Sequence, residues 1–302
     1  MLKNAIKVAC FVLAVLIVVG TGSFLYLKDV WDFDFIDGPQ NGTAVLMGYY
    51  GDSVNIVIPN KLRGKKVVSI ADGAFEKSNI VSVKLGKYVT NVDRNAFREC
   101  KSLKSVELNE GLLSVGESAF LNSSALDEIN IPSTLEKIGN AAFIGTGLKT
   151  LDFGKNDRFI LKDGVIYNKD MTKIYHALST ADLSNYVCPD TVKEISSFAF
   201  NAHEEIKSFK IPDGVTRLET AVFLGCKGIT ELKLPDSVVY IGPLAVSETG
   251  IQKIYIPKQT ATIDKSAFLQ LNEQLTIVTL NNSPAAKFAQ ANEYKVEIVE
   301  AL

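Results

Sequence analysis

Residues 126–143 read LDEINIPSTLEKIGNAAF and contain the pattern that decides the fold. The opening element, LDEINI, ends in alternating apolar and polar residues, which is typical of a short β-strand with one buried face. Pro132 then ends the strand, because proline lacks the N–H that a further ladder bond would need. The stretch closes with a small alanine followed by the large ring of Phe143.

The same pattern recurs along the chain with a period of 22 or 23 residues. Counted from the second residue of each Ala-Phe dipeptide or close variant, an aliphatic residue stands five positions earlier, and another stands eight positions earlier except where Thr260 departs. The successive intervals are 22, 23, 23, 57, 23, 23 and 22 residues. The dipeptides end at Phe75, Phe97, Phe120, Phe143, Phe200, Phe223, Val246 and Phe268.

One such unit is too short to bury its own apolar face, so consecutive copies must stack. We therefore predict a mainly β, right-handed repeat solenoid in which each unit adds one short strand to a continuous parallel ladder. The phenylalanine fills the core from the wall opposite the strand. The alanine before it is small because that turn passes close under its neighbour.

The eight copies resemble the repeat of BspA-type leucine-rich repeat proteins, which reads roughly L-x-x-I-x-L-P-x-x-L-x-x-I-x-x-x-A-F-x-x-C. The resemblance extends from about Phe33 to Leu302. Cys100 and Cys226 stand three residues after their phenylalanines, at the cysteine position of the family. The resemblance implies that both cysteines pack in the wall, and that the protein acts in adhesion or recognition at a bacterial cell surface. Local loosening of the wall is expected at the departures Val222, Val246, Gly242 and Pro243.

The remaining segments predict an insertion and two caps. Asp163-Gly164 between alternating apolar runs indicates a hairpin, and Asn168–Asp170 indicates a second turn, so a small β-meander interrupts the repeats. Ser283 and Pro284 are typical of the N-cap and first residue of a helix, which would cover the last repeat. We predict a membrane anchor at 1–27, a linker and cap strands at 28–66, the solenoid at 67–282 with its meander at 154–190, and a C-terminal cap at 283–302.

The N-terminal segment predicts a single transmembrane helix. Val8–Leu27 carries no charge over 20 residues, and a helix of that length spans roughly 30 Å of hydrocarbon. Lys3 and Lys7 precede it, so the N-terminus should stay cytoplasmic and the repeats should lie outside. The alternative is a cleaved signal peptide, although Gly20–Gly22 lacks the Ala-x-Ala form and the apolar run exceeds the usual 7–15 residues. In that case the repeats would be secreted.

Composition and motifs argue against catalysis. The chain is 47% hydrophobic and 22% charged, which is globular, and its 32 basic and 34 acidic residues give a net charge of −2. No surplus positive field is available for nucleic acid. The two histidines, His176 and His203, have no partner at metal-ligand spacing, and nucleophile and phosphate-binding motifs are absent. We expect no enzyme activity, no metal, no cofactor and no nucleic-acid partner.

The outward side chains of the strands form two polar columns, which we expect on the concave face. The middle column is predicted to contain Lys84, Glu107, Asn130, Asp152, Lys210, Lys233, Tyr255 and Thr279. The preceding column is predicted to contain Ser82, Ser105, Glu128, Thr150, Ser208, Glu231, Lys253 and Ile277.

The binding site is expected after the meander, where the columns gather Lys210, Lys233, Lys253 and Tyr255. Cations combined with an aromatic residue are typical of binding hot spots. We therefore expect these four residues to contact a protein or glycan partner. The alternative is that a polar face only keeps the solenoid soluble and that the protein is a structural scaffold or spacer of the cell envelope.

Overall fold

The computed structural model describes residues 32–271 and 275–301. Over these ranges the chain is a mainly β solenoid of about 11 turns, which confirms the repeat architecture. The anchor predicted at residues 1–27 lies outside the described residues. Within the described ranges, no helix combines the length and apolar character needed to cross a membrane.

Most regular turns contribute two short strands, whereas the sequence predicts one. The N-terminal part contains β1 (Phe33–Asp37), β2 (Thr43–Tyr49), β3 (Asn55–Val57), β4 (Lys61–Leu62), β5 (Lys65–Ile70), β6 (Ser82–Lys84), β7 (Asn91–Val92), β8 (Ser105–Glu107), β9 (Ser114–Val115), β10 (Glu128–Asn130) and β11 (Lys137–Ile138). The middle contains β12 (Phe159–Lys162), β13 (Val165–Asn168) and β14 (Lys173–Ala177). The C-terminal part contains β15 (Glu194–Ile195), β16 (Arg217–Leu218), β17 (Glu231–Lys233), β18 (Tyr240–Ile241), β19 (Lys253–Tyr255), β20 (Thr262–Ile263), β21 (Thr276–Leu280), the helix α1 (Pro284–Ala291) and β22 (Lys295–Val299).

The two kinds of strand form separate rows of parallel sheet. The three-residue strands pair in the orders β10-β8-β6-β3 and β17-β19-β21-β22. The two-residue strands extend the order β2-β5-β7-β9-β11 and form β16-β18-β20. A turn thus crosses two walls of the solenoid, and inward aliphatic residues from both walls meet in one core.

The long-strand row is interrupted, so the predicted continuous ladder is wrong. Neither 150–152 nor 207–210 forms a strand. The sequence predicts a strand at each place, with Asp152 and Lys210 in the middle outward column. Phe209 takes an inward position that valine, leucine or isoleucine holds inside the neighbouring strands, and Phe153 takes the next inward position, one residue beyond the strand end. The ring of Phe209 packs edge-on against Phe200 and Phe223, with centroids 4.8 Å away in each case. We attribute the interruption to the larger volume of these rings.

The phenylalanines of successive turns stack in a column inside the core. Phe75, Phe97, Phe120 and Phe143 are nearly parallel, with centroid separations of 5.0, 5.3 and 5.6 Å. The ring of His176 follows at 5.8 Å from Phe143. Buried side chains form two clusters, one spanning residues 33–178 and the other 165–289, which adjoin at the meander.

The Ala-Phe turn has an unusual backbone that repeats from turn to turn. The residues two before and two after the phenylalanine adopt positive φ, for example Ser118 at 56° and Asn122 at 59° around Phe120. Few of these residues are glycine, and each left-handed residue costs about 1–2 kcal/mol. Hydrogen bonds to the next turn offset the strain, since Ser118 N–H donates to Asn140 O at 2.9 Å and Phe120 N–H donates to Ala142 O at 2.9 Å.

Both turns predicted for the meander are present. Lys162 pairs with Val165 across the two-residue loop Asp163-Gly164, whose φ values of 51° and 74° are those of a type I′ hairpin turn. Strand β14 pairs antiparallel with β13 and parallel with β15, so the meander joins the short-strand wall. Residues 183–189, inside the predicted insertion, already have the repeat pattern, with Leu183 and Cys188 buried.

Both ends of the solenoid are covered. Strand β1 pairs antiparallel with β2, which continues into the short-strand wall through β5. At the other end, the Ser283 side chain accepts a hydrogen bond from Ala286 N at 3.0 Å, which confirms the predicted N-cap of α1. Strand β22 then pairs with β21. The last aliphatic layer is therefore not exposed.

Candidate binding surface

Three of the four predicted site residues lie together on the sheet β17-β19-β21-β22. Lys233 is in register with Tyr255, and Glu231 is in register with Lys253. The Lys233 ammonium lies 4.9 Å from the centroid of the Tyr255 ring, a cation–π distance. The sheet positions these side chains because alternate residues of each short strand face outward.

Lys210 is not part of this group. It lies in 207–210, outside any strand, and its ammonium is 3.2 Å from Asp190 Oδ1 of the preceding turn. The expected four-residue site is therefore reduced to Lys233, Lys253 and Tyr255. We call these three residues, with Glu231 and Glu297, the candidate surface.

The cations of the candidate surface have acidic partners. Lys253 Nζ donates to Glu297 Oε2 at 2.9 Å, and Lys233 Nζ lies 3.7 Å from Glu231 Oε1. The hydrogen bond that Lys253 donates to Glu297 raises the pKa of Lys253, so its ammonium stays protonated. Exposed pairs of this kind contribute about 0–1 kcal/mol to stability. They nevertheless make the surface mixed in charge, whereas the sequence suggested a cationic patch.

The last repeat is one residue out of the predicted register. Lys253 pairs with Thr276 and Tyr255 with Val278. The predicted column members Ile277 and Thr279 therefore face the core, where both are fully buried. A one-residue slip moves every side chain of a strand to the other face.

Thr279 is satisfied in this inward position, since its hydroxyl donates to Ile256 O at 2.7 Å and lies 2.9 Å from Ser283 Oγ. These contacts join strand β21 to the residue that caps α1. The apparent polar position in the sequence is therefore a buried hydrogen-bonding site.

Sequence reasoning missed a second aromatic and cationic group, on the short-strand wall. The Arg217 guanidinium lies 3.8 Å from the centroid of the Tyr240 ring, and the two residues are in register on β16 and β18. Arg217 Nε also donates to Glu219 Oε1 at 2.6 Å. The sequence could have revealed this pair, because Arg217 and Tyr240 each directly precede the aliphatic residue of their repeat and therefore occupy equivalent positions in successive turns.

An open groove of about 410 Å³ lies beside the first turns of the solenoid. Gly86 and Asn109 line it at the position where most later repeats have proline. Gly86 is needed for close packing, because a Cβ there would lie 2.8 Å from Ile58 O of the preceding turn. Lys84 Nζ and Glu107 Oε1 form an ion pair of 2.6 Å at its rim.

The described residues bring together no evident catalytic group. They contain no cluster of three or more histidine, cysteine or acidic side chains that could hold a metal. Burial raises the pKa of Cys100, Cys188 and Cys226 to about 12, so these thiols are protonated at neutral pH and are poor nucleophiles. His203 Nδ1 lies 2.8 Å from Glu205 Oε1, with His203 buried and Glu205 partly exposed. The thiol beside this pair is that of Cys226, which is held protonated by burial and donates to Phe200 O.

The sequence matches the family model of the BspA type leucine rich repeat region over residues 49–173 and 172–286, with 6 copies. The fold is similar to that of the pneumococcal vaccine antigen PcpA, at 15% identity and a TM-score of 0.53, covering 89% of this chain and 97% of that one. It is also similar to a leucine-rich repeat protein from Eubacterium ventriosum, at 19% identity and a TM-score of 0.57, covering 84% of this chain and 77% of that one. A comparison with curated proteins found no match.

Proposed function

The chain belongs to the BspA-type leucine-rich repeat family, and from that premise we propose that it is a membrane-anchored protein that binds a protein or glycan outside the cell. Membership of this family of surface proteins is consistent with a role in binding or adhesion in general. The comparisons with known proteins indicate no catalytic family. The finer proposal assigns the contact to the candidate surface. Its alternative is an envelope scaffold or spacer without a specific ligand.

The observation that carries the proposal is the preformed pair of Lys233 and Tyr255. Both residues stand on a hydrogen-bonded parallel sheet in register with each other. A side chain that is already ordered loses less conformational entropy when a partner binds, and aromatic and cationic residues are frequent hot spots. The acidic partners Glu231 and Glu297 favour a ligand that offers both hydrogen-bond donors and acceptors, such as a glycan or a mixed-charge protein surface.

The membrane part of the proposal is supported by the sequence. Val8–Leu27 is long enough to span a bilayer, and Lys3 and Lys7 precede it. Strand β1 begins at Phe33, only five residues after that segment ends. Such a short connection would hold the first turn of the solenoid close to the outer leaflet.

The binding test uses the full-length chain in detergent, immobilised and presented with panels of purified glycans and bacterial and host surface proteins. The variant combines Lys233→Gln and Lys253→Gln, and Tyr255→Ala is tested separately. Neutral substitutions are required because glutamate at either lysine would face an acidic neighbour. We expect each variant to weaken binding about 30-fold or more, since removing a hot-spot side chain costs about 2 kcal/mol or more.

The matched control is Lys84→Gln. Lys84 occupies the same column in the N-terminal half and also pairs with an acidic neighbour, Glu107. It should leave binding unchanged. If the wild type binds no member of the panels, or if the three variants are equivalent, the candidate surface is not the site and the scaffold alternative is favoured.

The anchoring test is separate from the binding test. Protease added to intact cells should degrade the repeats, while undigested protein should remain in the membrane fraction after a carbonate wash. A soluble chain that begins near Ser23 would instead establish a cleaved signal peptide. That result would replace the anchor and leave the outside location intact.

A further inference from the structure

His176 is a fully buried side chain without a hydrogen-bond partner. It lies on β14, and neither Nδ1 nor Nε2 has a donor or acceptor within reach in the described part of the chain. Ser196 Oγ, just beyond the end of the adjacent strand β15, is buried and unpartnered as well. Buried polar atoms are almost always hydrogen-bonded in proteins, and each exception costs about 1–3 kcal/mol.

These atoms without hydrogen-bond partners lie where the two core clusters meet. The His176 ring is tilted against Phe143, with centroids 5.8 Å apart, at the end of the stacked phenylalanines. Phe143 belongs to the first cluster, whereas Ile174 and Ala177 on the same strand as His176 belong to the second. We call this contact between Phe143, β14 and β15 the joint.

Backbone hydrogen bonds close the C-terminal side of the joint. Ala177 N–H donates to Ala199 O at 2.8 Å, and Ser196 N–H donates to Ile174 O at 3.0 Å. Both bonds join β14 to the first turn after the meander. A separation of the two halves between β14 and this turn would expose both bonds, so their exchange with solvent reports on that opening.

Among the described residues, no carboxylate forms a hydrogen bond with His176. The charge that acts on His176 is that of His203, one turn on, which is also cationic when protonated and whose Nδ1 is next to Glu205. Burial keeps the phenols and the thiol on the adjoining strands and turns protonated and neutral, since it raises the pKa of each of them. These groups are Tyr167, Tyr186 and Cys188. Lys173 on β14 and Glu194 on β15 pair with each other at the surface.

We propose that the joint is a pH-sensitive switch, in which protonation of His176 separates the N-terminal and C-terminal halves of the solenoid in acid while neutral His176 keeps them packed. The neutral ring can take the place of a phenylalanine in the column. A protonated ring would be a buried cation beside His203 without a carboxylate partner.

The direction of the pH effect on the joint follows from the lowered pKa of His176. Burial, followed by the nearby His203, lowers the pKa of His176 from 6.5 to about 4. The opened joint then binds a proton more readily than the closed joint between about pH 6.5 and pH 4. Stability of the joint is therefore complete above pH 6.5 and is lost as the pH falls through this window. A shift of this size corresponds to a roughly 100-fold increase in the opening equilibrium between pH 7 and pH 4.

The test is amide hydrogen exchange of the full-length chain in detergent at pH 7 and pH 4, with rates corrected for the intrinsic pH dependence. We expect the protection of Ala177 and Ser196 to fall by roughly 100-fold in acid. The internal reference is Phe97 N–H, which donates to Ala119 O at 2.8 Å between two regular turns and should keep its protection.

Two variants remove the titrating group, His176→Phe and His176→Leu. Phenylalanine would complete the aromatic column, and leucine is smaller in case the larger ring does not fit. Either one should abolish the acid loss at Ala177 and Ser196. His203→Gln is the matched histidine control and should retain most of that loss. Equal protection at both pH values, or an acid loss that persists in a folded His176 variant, would overturn the proposal.

Discussion

Truncation of Phe120 tests whether the stacked column stabilises the solenoid. The Phe120 ring is fully buried and lies between Phe97 and Phe143, with centroids at 5.3 and 5.6 Å and interplanar angles of 3° and 5°. Phe→Ala substitutions in cores cost about 3–5 kcal/mol, part of it from the cavity that remains. A ring with an aromatic neighbour on each side should lie at the upper end of that range. We therefore expect Phe120→Ala to lower the free energy of unfolding by about 5 kcal/mol.

The comparison variant is Phe268→Ala. Phe268 is also buried, but its aromatic neighbours, Phe288 and Tyr294, both belong to the C-terminal cap. In a stacked array each turn contacts only its neighbours, so this change should mainly detach the cap. Phe120→Ala, in an interior turn, instead removes contacts with the turns on both sides and divides the first core cluster.

The assay is equilibrium urea unfolding followed by circular dichroism, combined with hydrogen exchange by segment. Phe120→Ala should shift the whole transition, whereas Phe268→Ala should increase exchange in α1 and β22 before the rest of the chain unfolds. A cost below about 1.5 kcal/mol at Phe120, well under the range for a buried ring, would refute the argument. Identical segment patterns in the two variants would refute it as well.

Other expectations concern the cap, the thiols and the polar face. Ser283→Ala should cost about 1 kcal/mol, because Ala286 N–H loses its side-chain acceptor; thermal melts measure this, and Ser283→Gly should cost less. Cys10 lies in the predicted transmembrane segment Val8–Leu27, so the thiol test uses a Cys10→Ser variant. A disulfide reagent at pH 8 should react at least tenfold more slowly with the native chain than with the urea-unfolded chain, since Cys100 and Cys226 are fully buried; fast native reaction would contradict their wall position. The double variant Lys233→Gln/Lys253→Gln should change the free energy of unfolding by no more than about 0.5 kcal/mol, as is usual for exposed sites. A larger loss of stability in the same thermal melts would indicate a structural role for the ion pairs.

The sequence predicts the column of phenylalanines, the inward aliphatic residues and the meander turns because each depends on local chemistry. A period of 22 or 23 residues with one apolar face leaves stacking as the way to bury that face. Asp163-Gly164 suits the left-handed backbone of a hairpin turn. Ser283 caps α1 for the same local reason.

The candidate surface was predicted only in part, because its charge depends on residues far apart in sequence. Glu297, the partner of Lys253, lies 44 residues away on the last strand. Nothing in the repeat itself indicates that β22 would bring a carboxylate there. The departure of Lys210 from the group has a similar cause, since the rings of Phe209 and its neighbours interrupt the strand row.

The sequence by itself determines that this protein is a stack of short repeats, since the period and the apolar positions recur along the chain with few departures. Only the tertiary structure decides the backbone of the Ala-Phe turns and the register of the last strand. Left-handed residues such as Ala221 and Leu244 are unfavourable in an isolated unit. They become acceptable because hydrogen bonds from the adjacent turn fix them, and those bonds exist only when the units are stacked.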